Sequence, residues 1–200
     1  MNNERLTYLT KLIAEHDDEK AFDEFFHLAF PGLYSFVNSI THDRQAANEV
    51  IEDVFIKLWN NRKILPSLKS IFSYIYTLSK NEALNFINRK STRDTKRILP
   101  VGDFGDAFSY RYDPDDVLIS EENIQIINSA IGHLPPRCRL IFRLIKEDQL
   151  KYTEVAELLG ISIKTVESQM FKALKILTNS LEKDLPEFSA YYNRKKISEN

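Results

Sequence analysis

The chain has 200 residues, 43% hydrophobic and 28% charged, which suits one large domain or two small ones that each bury a modest core. A single cysteine, Cys138, excludes an intrachain disulfide. The N-terminal stretch lacks the apolar run of a secretory leader, and the longest apolar clusters fall far short of the ~20 residues a membrane span needs, so a reducing cytoplasm is the expected setting. The formal net charge of -2 averages over a strong pattern. Residues 1–60 hold 5 Lys and Arg against 11 Asp and Glu, residues 61–100 hold 9 against 2, and residues 101–122 hold 1 against 7. A basic block set between acidic stretches can attract phosphates locally, while the acids repel DNA elsewhere or meet a basic protein.

Glycine is scarce, with 5 in all, and apolar residues recur at helical spacing nearly throughout, which predicts an all-α fold. The exception is a stretch rich in breakers and acids around Leu99 to Asp116, read as a flexible acidic linker. The expected organisation is a helical domain over 1–95, a linker over 96–120, a second helical domain over 121–184, and a loosely held tail over 185–200.

The first informative helix runs from Ala46 to Trp59. Ala47, Val50, Ile51, Val54 and Leu58 form its buried stripe, with Phe55 and Trp59 at the border. Its reverse face carries Glu49, Glu52 and Asp53 around Ile56. An apolar side chain ringed by carboxylates suits a protein partner with a basic, partly apolar surface, although one stray isoleucine on a solvated face is the plain alternative.

Ile64 to Ser70 reads as a loop containing a breaker, and Leu65, Ser67, Leu68 and Lys69 could receive an unstacked base or could simply connect two helices. In the following helix, Phe72, Tyr76, Ser79, Ala83 and Phe86 line an inner face, and Tyr74, Thr77, Asn81, Asn85 and Asn88 an outer one. Asparagine disfavours helix, so a row of three suggests amides kept for hydrogen bonding to bases. Lys80, Arg89, Lys90, Arg93, Lys96 and Arg97 can supply phosphate contacts.

From Tyr152 to Leu174 the pattern is that of a helix-turn-helix. Gly160 can end the first helix in the left-handed conformation and Ser162 can cap the second, with Val155, Leu159, Ile161 and Val166 packing the pair. On the second helix Val166, Met170, Ala173 and Leu177 share the inner face. Lys164, Ser168, Phe171 and Lys175 share the opposite one, flanked by Glu167 and Lys172. An aromatic on a polar face is suited to a thymine methyl in a major groove, with burial against neighbouring helices as the alternative.

Over nearly its whole length, apart from linker and tail, the chain resembles an extracytoplasmic-function (ECF) sigma factor of the RNA polymerase sigma-70 family. Ala46 to Trp59 resembles the helix that grips the clamp helices of the polymerase beta-prime subunit, Ser70 to Lys90 the minus-10 recognition helix, and Leu134-Pro-Pro-Arg through Leu177 the minus-35 domain. The resemblance implies a non-catalytic subunit that directs polymerase to a restricted set of promoters, with no cofactor, no metal and no catalytic residue. It assigns core binding to Glu49, Glu52, Asp53 and Ile56. Minus-10 contacts fall to Leu65, Ser67, Leu68, Lys69, Tyr74, Thr77, Lys80, Asn81, Asn85, Asn88 and Arg89, and minus-35 contacts to Lys164, Glu167, Ser168, Phe171, Lys172 and Lys175. The implied partners are core RNA polymerase (beta-prime clamp helices and beta flap), promoter DNA and an anti-sigma protein. The stretch Ile163 to Leu177 is similar to sigma factors of the iron-citrate-type subgroup, whose anti-sigma proteins are membrane-linked. Three positions depart from the family pattern: Glu167 stands where a basic residue is common, Glu52 where glutamine is, and Lys151 where a helix-capping serine is.

The charge pattern also permits a closed state in which an anti-sigma protein holds the two domains together and hides both DNA surfaces. Two rival readings compete. A conventional dimeric helix-turn-helix regulator explains residues 121–184 and leaves the first half without a role. A metal-dependent nuclease would use Asp113, Asp115 and Asp116, but His16, His27, His42 and His133 are scattered without ligand spacing.

Overall fold

A computed structural model describes residues 3–90, 121–182 and 185, and the predicted linker, the tail and the three linker aspartates lie outside these. The first half comprises α1 (Asn3–His16), α2 (Glu19–Thr41), α3 (Arg44–Asn60), a 3-10 helix (Arg62–Ser67) and α4 (Ile71–Lys90). The second comprises α5 (Glu121–Gly132), α6 (Pro136–Lys146), α7 (Tyr152–Leu159) and α8 (Ile163–Leu181).

 Among the described residues the secondary structure is helical throughout, as the even spacing of apolar residues and the scarcity of glycine require.

Three of the helices start where a side chain accepts from their free amides. Asp18 accepts from the backbone N–H groups of Lys20 and Ala21 and opens α2, and Asp43 accepts from those of Gln45 and Ala46 and opens α3. Ser162 accepts from Thr165 N–H and opens α8, as its position predicts. Lys151 opens α7 without an acceptor of its own. Instead the Glu154 carboxylate, three residues on, accepts from the Lys151 N–H at 2.8 Å, which supplies the half of the capping box that a lysine can still take part in. Gly160 ends α7 at φ +64°, the left-handed geometry that lets the chain turn into α8.

In the first half, α2, α3 and α4 pack around Phe25, Leu33, Ile51, Leu58 and Ile75, all fully buried. The border of α3 is an aromatic cluster, with Phe26 against Phe55 at 4.6 Å and Phe22 against Trp59 at 4.9 Å between ring centroids. In the second half, α8 lies against α5, α6 and α7, and Val166, Met170, Ala173 and Leu177 are buried there. Removing such side chains from water stabilises by roughly 1.5–3 kcal/mol each, which is why the buried stripes decide which faces remain outside.

The 3-10 helix, read from sequence as a loop, is tied back to α1. Arg62 Nε donates to Asp17 Oδ1 at 2.6 Å, and Lys63 Nζ donates to Ala14 O at 2.7 Å and to Asp17 Oδ1 at 3.2 Å. These hydrogen bonds from Arg62 and Lys63 hold the Asp17 carboxyl below its ordinary value of 3.8. A depressed folded-state value adds stability above 3.8 that is lost as pH falls through the folded value. The stability gap between the wild type and Asp17→Asn is therefore expected to narrow below pH 3.8, and urea denaturation of both proteins at pH 7 and pH 3 checks it.

Candidate nucleic-acid and protein interfaces

The acid-ringed face of α3 stands clear of the core. Glu49, Glu52 and Asp53 are exposed, and Ile56 at their centre is 58% exposed, an apolar side chain held in water by the burial of Val54, Phe55 and Leu58 around it. Behind it, Lys57 Nζ pairs with Glu82 Oε1 at 2.6 Å, and Glu82 is itself buried, so the pair fixes α3 against α4.

On α4 the two faces divide as the spacing predicts. Phe72, Tyr76, Ser79 and Ala83 are buried and Phe86 half-buried, while Thr77, Asn81, Asn85, Asn88 and Arg89 are exposed. Tyr74 is half-buried against the core. Arg89 Nη2 lies 3.9 Å from Glu82 and remains 70% exposed.

The stretch before α4 differs from expectation at one residue in particular. Leu65 is buried at 2% exposure, because the 3-10 helix turns its side chain inward against α1, so in this conformation it is unavailable to a base. Leu68 is half-buried, whereas Ser67 and Lys69 are exposed. Ser67 Oγ donates to Ile64 O at 2.6 Å. Lys80 also departs from a free phosphate-seeking role: its Nζ donates to Leu158 O at 2.7 Å, across to the second half of the molecule.

On α8, Lys164, Glu167, Ser168, Lys172 and Lys175 are exposed, and Phe171 is 58% exposed. The alternative of Phe171 as a core side chain is therefore ruled out by its surroundings. Cys138 of α6 is buried, its Sγ 3.0 Å from Gln169 Oε1, and burial pushes its thiol up against the opposing charge of Lys172.

Sequence reasoning missed the junction between the halves. Tyr76 Oη donates to Asp148 Oδ2 at 2.7 Å, and a crevice of ≈ 300 Å³ is lined by Lys69, Ser70, Ser73, Tyr74, Thr77 and Glu154. Nearby, Arg139 and Arg143 of α6 are buried, and Arg139 donates to Leu134 O through Nε and Nη2. Burial lowers the Arg143 pKa from its ordinary value, while the charge of Glu147, 3.6 Å away, opposes that shift. The available signal was two arginines, Arg139 and Arg143, spaced by four among Leu140, Ile141, Phe142 and Leu144, with carboxylates at Glu147 and Asp148 just beyond the helix.

The histidines take local roles. His42 ends α2 in the left-handed conformation, His27 lies 3.7 Å from Asp23, and His133 Nδ1 lies 2.7 Å from Ser129 O. Among the described residues no three His, Cys, Asp or Glu side chains gather as a metal site, and no helix is long and apolar enough to cross a membrane.

Comparison with known proteins places both halves. The family profile described as sigma-70 region 2 matches residues 26–93, and that for sigma-70 region 4 matches residues 124–177. The ECF RNA polymerase sigma-E factor of Escherichia coli (strain K12) is 25% identical over 139 residues, covering 67% of this chain and 73% of that protein. The ECF RNA polymerase sigma factor SigK of Mycolicibacterium vanbaalenii is 25% identical over 184 residues, covering 88% and 89%. Among solved structures, CnrH in complex with the cytosolic domain of CnrY aligns with a TM-score of 0.45 at 17% identity, over 90% of this chain and 99% of that one. The sigma factor RpoE in complex with the anti-sigma factor NepR from Bartonella quintana aligns with a TM-score of 0.44 at 18% identity, over 82% and 98%.

The asparagine row gives a test of whether α4 is shaped for its own stability. Asn85 is exposed, so Asn85→Ala removes no core packing and gains helix propensity, which is expected to raise stability by about 0.5 kcal/mol in urea denaturation.

Proposed function

The chain belongs to the sigma-70 family, in its ECF group, and from that premise we propose how its surfaces divide the work of transcription initiation. The exposed face of α3 docks on core RNA polymerase, with Ile56 entering an apolar spot on the beta-prime clamp helices and Glu49, Glu52 and Asp53 meeting its basic surroundings. The outer face of α4 captures the opened minus-10 strand. Thr77, Asn81, Asn85 and Asn88 offer hydrogen-bonding groups to bases, Tyr74 an aromatic edge, and Lys80 and Arg89 charges for phosphates. Ser67, Leu68 and Lys69 border the place where an unstacked base would sit, and Leu65 forms the floor beneath them.

The N-terminal end of α8 enters the minus-35 major groove. Phe171 meets a thymine methyl, Ser168 and Glu167 reach base edges, and Lys164, Lys172 and Lys175 contact phosphates, while the beta flap holds the second half on polymerase. The proposed domain boundaries are those read from sequence: 1–95, 96–120, 121–184 and 185–200. The reading makes the protein a cytoplasmic, non-enzymatic subunit without a cofactor, in which strand separation is driven by binding energy when a captured base fills a site that a paired base cannot reach. An anti-sigma protein controlling its access to polymerase fits the same reading.

The observation that carries this proposal is that three asparagines and one phenylalanine stay outside the core on two separate helices, where stability alone favours other residues. Purified core polymerase with the full chain is expected to yield transcripts from a subset of promoters in a genomic library. Phe171→Ala should reduce minus-35-dependent promoter binding by roughly 5- to 100-fold, and Ile56→Ala should weaken binding to core by roughly 5- to 30-fold. Tight binding to a palindromic operator by the protein alone, with no transcripts from active core, would replace the proposal with that of a dimeric regulator.

A further inference from the structure

The exposed side of α8 is divided into two rows of different character. Ile163, Glu167 and Phe171 follow one another by fours along one row, and Lys164, Ser168, Lys172 and Lys175 run along the next. All of these are exposed, Ile163 to 45% and Phe171 to 58%, while Val166, Met170, Ala173 and Leu177 hold the opposite side in the core. The second row carries lysines and a hydroxyl. The first carries no cation: a carboxylate stands between two large apolar side chains.

Given the reading of α8 above as the minus-35 helix, this division decides which way each row faces. The lysine row suits phosphates, and a carboxylate turned the same way would be repelled by them. The row of Ile163, Glu167 and Phe171 therefore turns to the floor of the major groove, where bases present amino groups and methyls as well as acceptors. Glu167 lies in the second turn of α8, within the N-terminal part of the helix that reaches base edges in helix-turn-helix proteins. An ionised carboxylate only accepts hydrogen bonds, so it needs an N–H. Guanine presents acceptors alone in that groove, thymine an acceptor and a methyl, and adenine an amino group beside the acceptor N7. Cytosine presents its amino group with no acceptor of its own beside it.

We propose that Glu167 determines specificity at one position of the minus-35 element by accepting from the amino group of a cytosine, with Ile163 and Phe171 against thymine methyls on either side of it. A step of four residues advances about 6 Å along the helix, nearly two base-pair spacings of about 3.4 Å, so the thymines fall within about two pairs of the cytosine. The carboxylate acts chiefly by exclusion. It weakens attraction to every sequence, and opposite guanine or thymine it meets acceptors at close range, so a cytosine is what offsets its presence. This rests on the minus-35 reading of α8 and adds to it the base that the acidic side chain selects, together with a contact for Ile163, an apolar side chain left in water at the start of the helix.

The test is selection of minus-35 elements from a promoter randomised there, using the full chain with core polymerase and sequencing the templates that are transcribed. The wild type should favour cytosine at one position by roughly five- to tenfold. Glu167→Ala removes no core packing, because Glu167 is exposed, and should abolish the preference at that position while the thymine preferences beside it persist. Glu167→Arg should convert the cytosine preference to guanine, whose O6 and N7 suit a guanidinium. Lys172→Ala, which loses a phosphate contact, should instead weaken binding to all sequences about equally and reduce its salt dependence. At the position whose preference Phe171→Ala relaxes, deoxyuridine in place of thymidine removes the methyl alone. It should lower wild-type transcription by roughly threefold and leave that of Phe171→Ala unchanged.

Transcripts that show no cytosine preference, or one that survives unchanged in Glu167→Ala, would overturn the assignment and leave the minus-35 reading of α8 standing. No transcripts from active core with any template would overturn that reading, and the base assignment with it.

Discussion

Burial of one stripe of α4 between α2 and α3 is the constraint on which the rest of the molecule depends. A helix has one period, so once Phe72, Ile75, Tyr76, Ser79 and Ala83 are committed to the interior, the positions available to the outside are settled. The buried Glu82 strengthens this by pairing with Lys57, which locks the rotation of α4 to that of α3. The carboxylate face of α3 and the amide face of α4 are therefore held in a fixed relation. The proposed function uses that relation, since on that reading polymerase is gripped on one side while a strand is captured on the other.

The second half solves a similar problem with less material. Its helix α8 is oriented by Val166, Met170, Ala173 and Leu177 on one side, and by a turn that needs Gly160 on the other. The lysine that opens α7 shows how such a unit tolerates substitution. With no acceptor at Lys151, the helix start relies on Glu154, so the amide is satisfied from inside the helix. Glu154 also borders the crevice against α4, and one carboxylate thereby links local helix geometry to the relation between the halves.

Much of this was legible in the sequence, and the reason is that it rests on periodicity. The stripes of α3, α4 and α8, the left-handed Gly160 and the Ser162 cap all follow from spacing and from the conformations that particular residues permit. The burial of Leu65 was not legible, because a short 3-10 helix has too few residues to declare a face and its burial is set by tertiary packing against α1. The contact that Lys80 makes was hidden for a related reason: nothing near it in sequence announces the Leu158 carbonyl. The pairing of Tyr76 with Asp148 spans 72 residues and depends on an absent side chain at Gly32, a combination with no local signature.

The contacts between the halves, Tyr76 with Asp148 and Lys80 with the Leu158 carbonyl, are modest in size. Net hydrogen bonds of this kind contribute about 0.5–1.5 kcal/mol each, and those to charged groups about 1.5–3, so two of them hold the halves together by a few kcal/mol at most, which is small beside the burial of the stripes that builds each half.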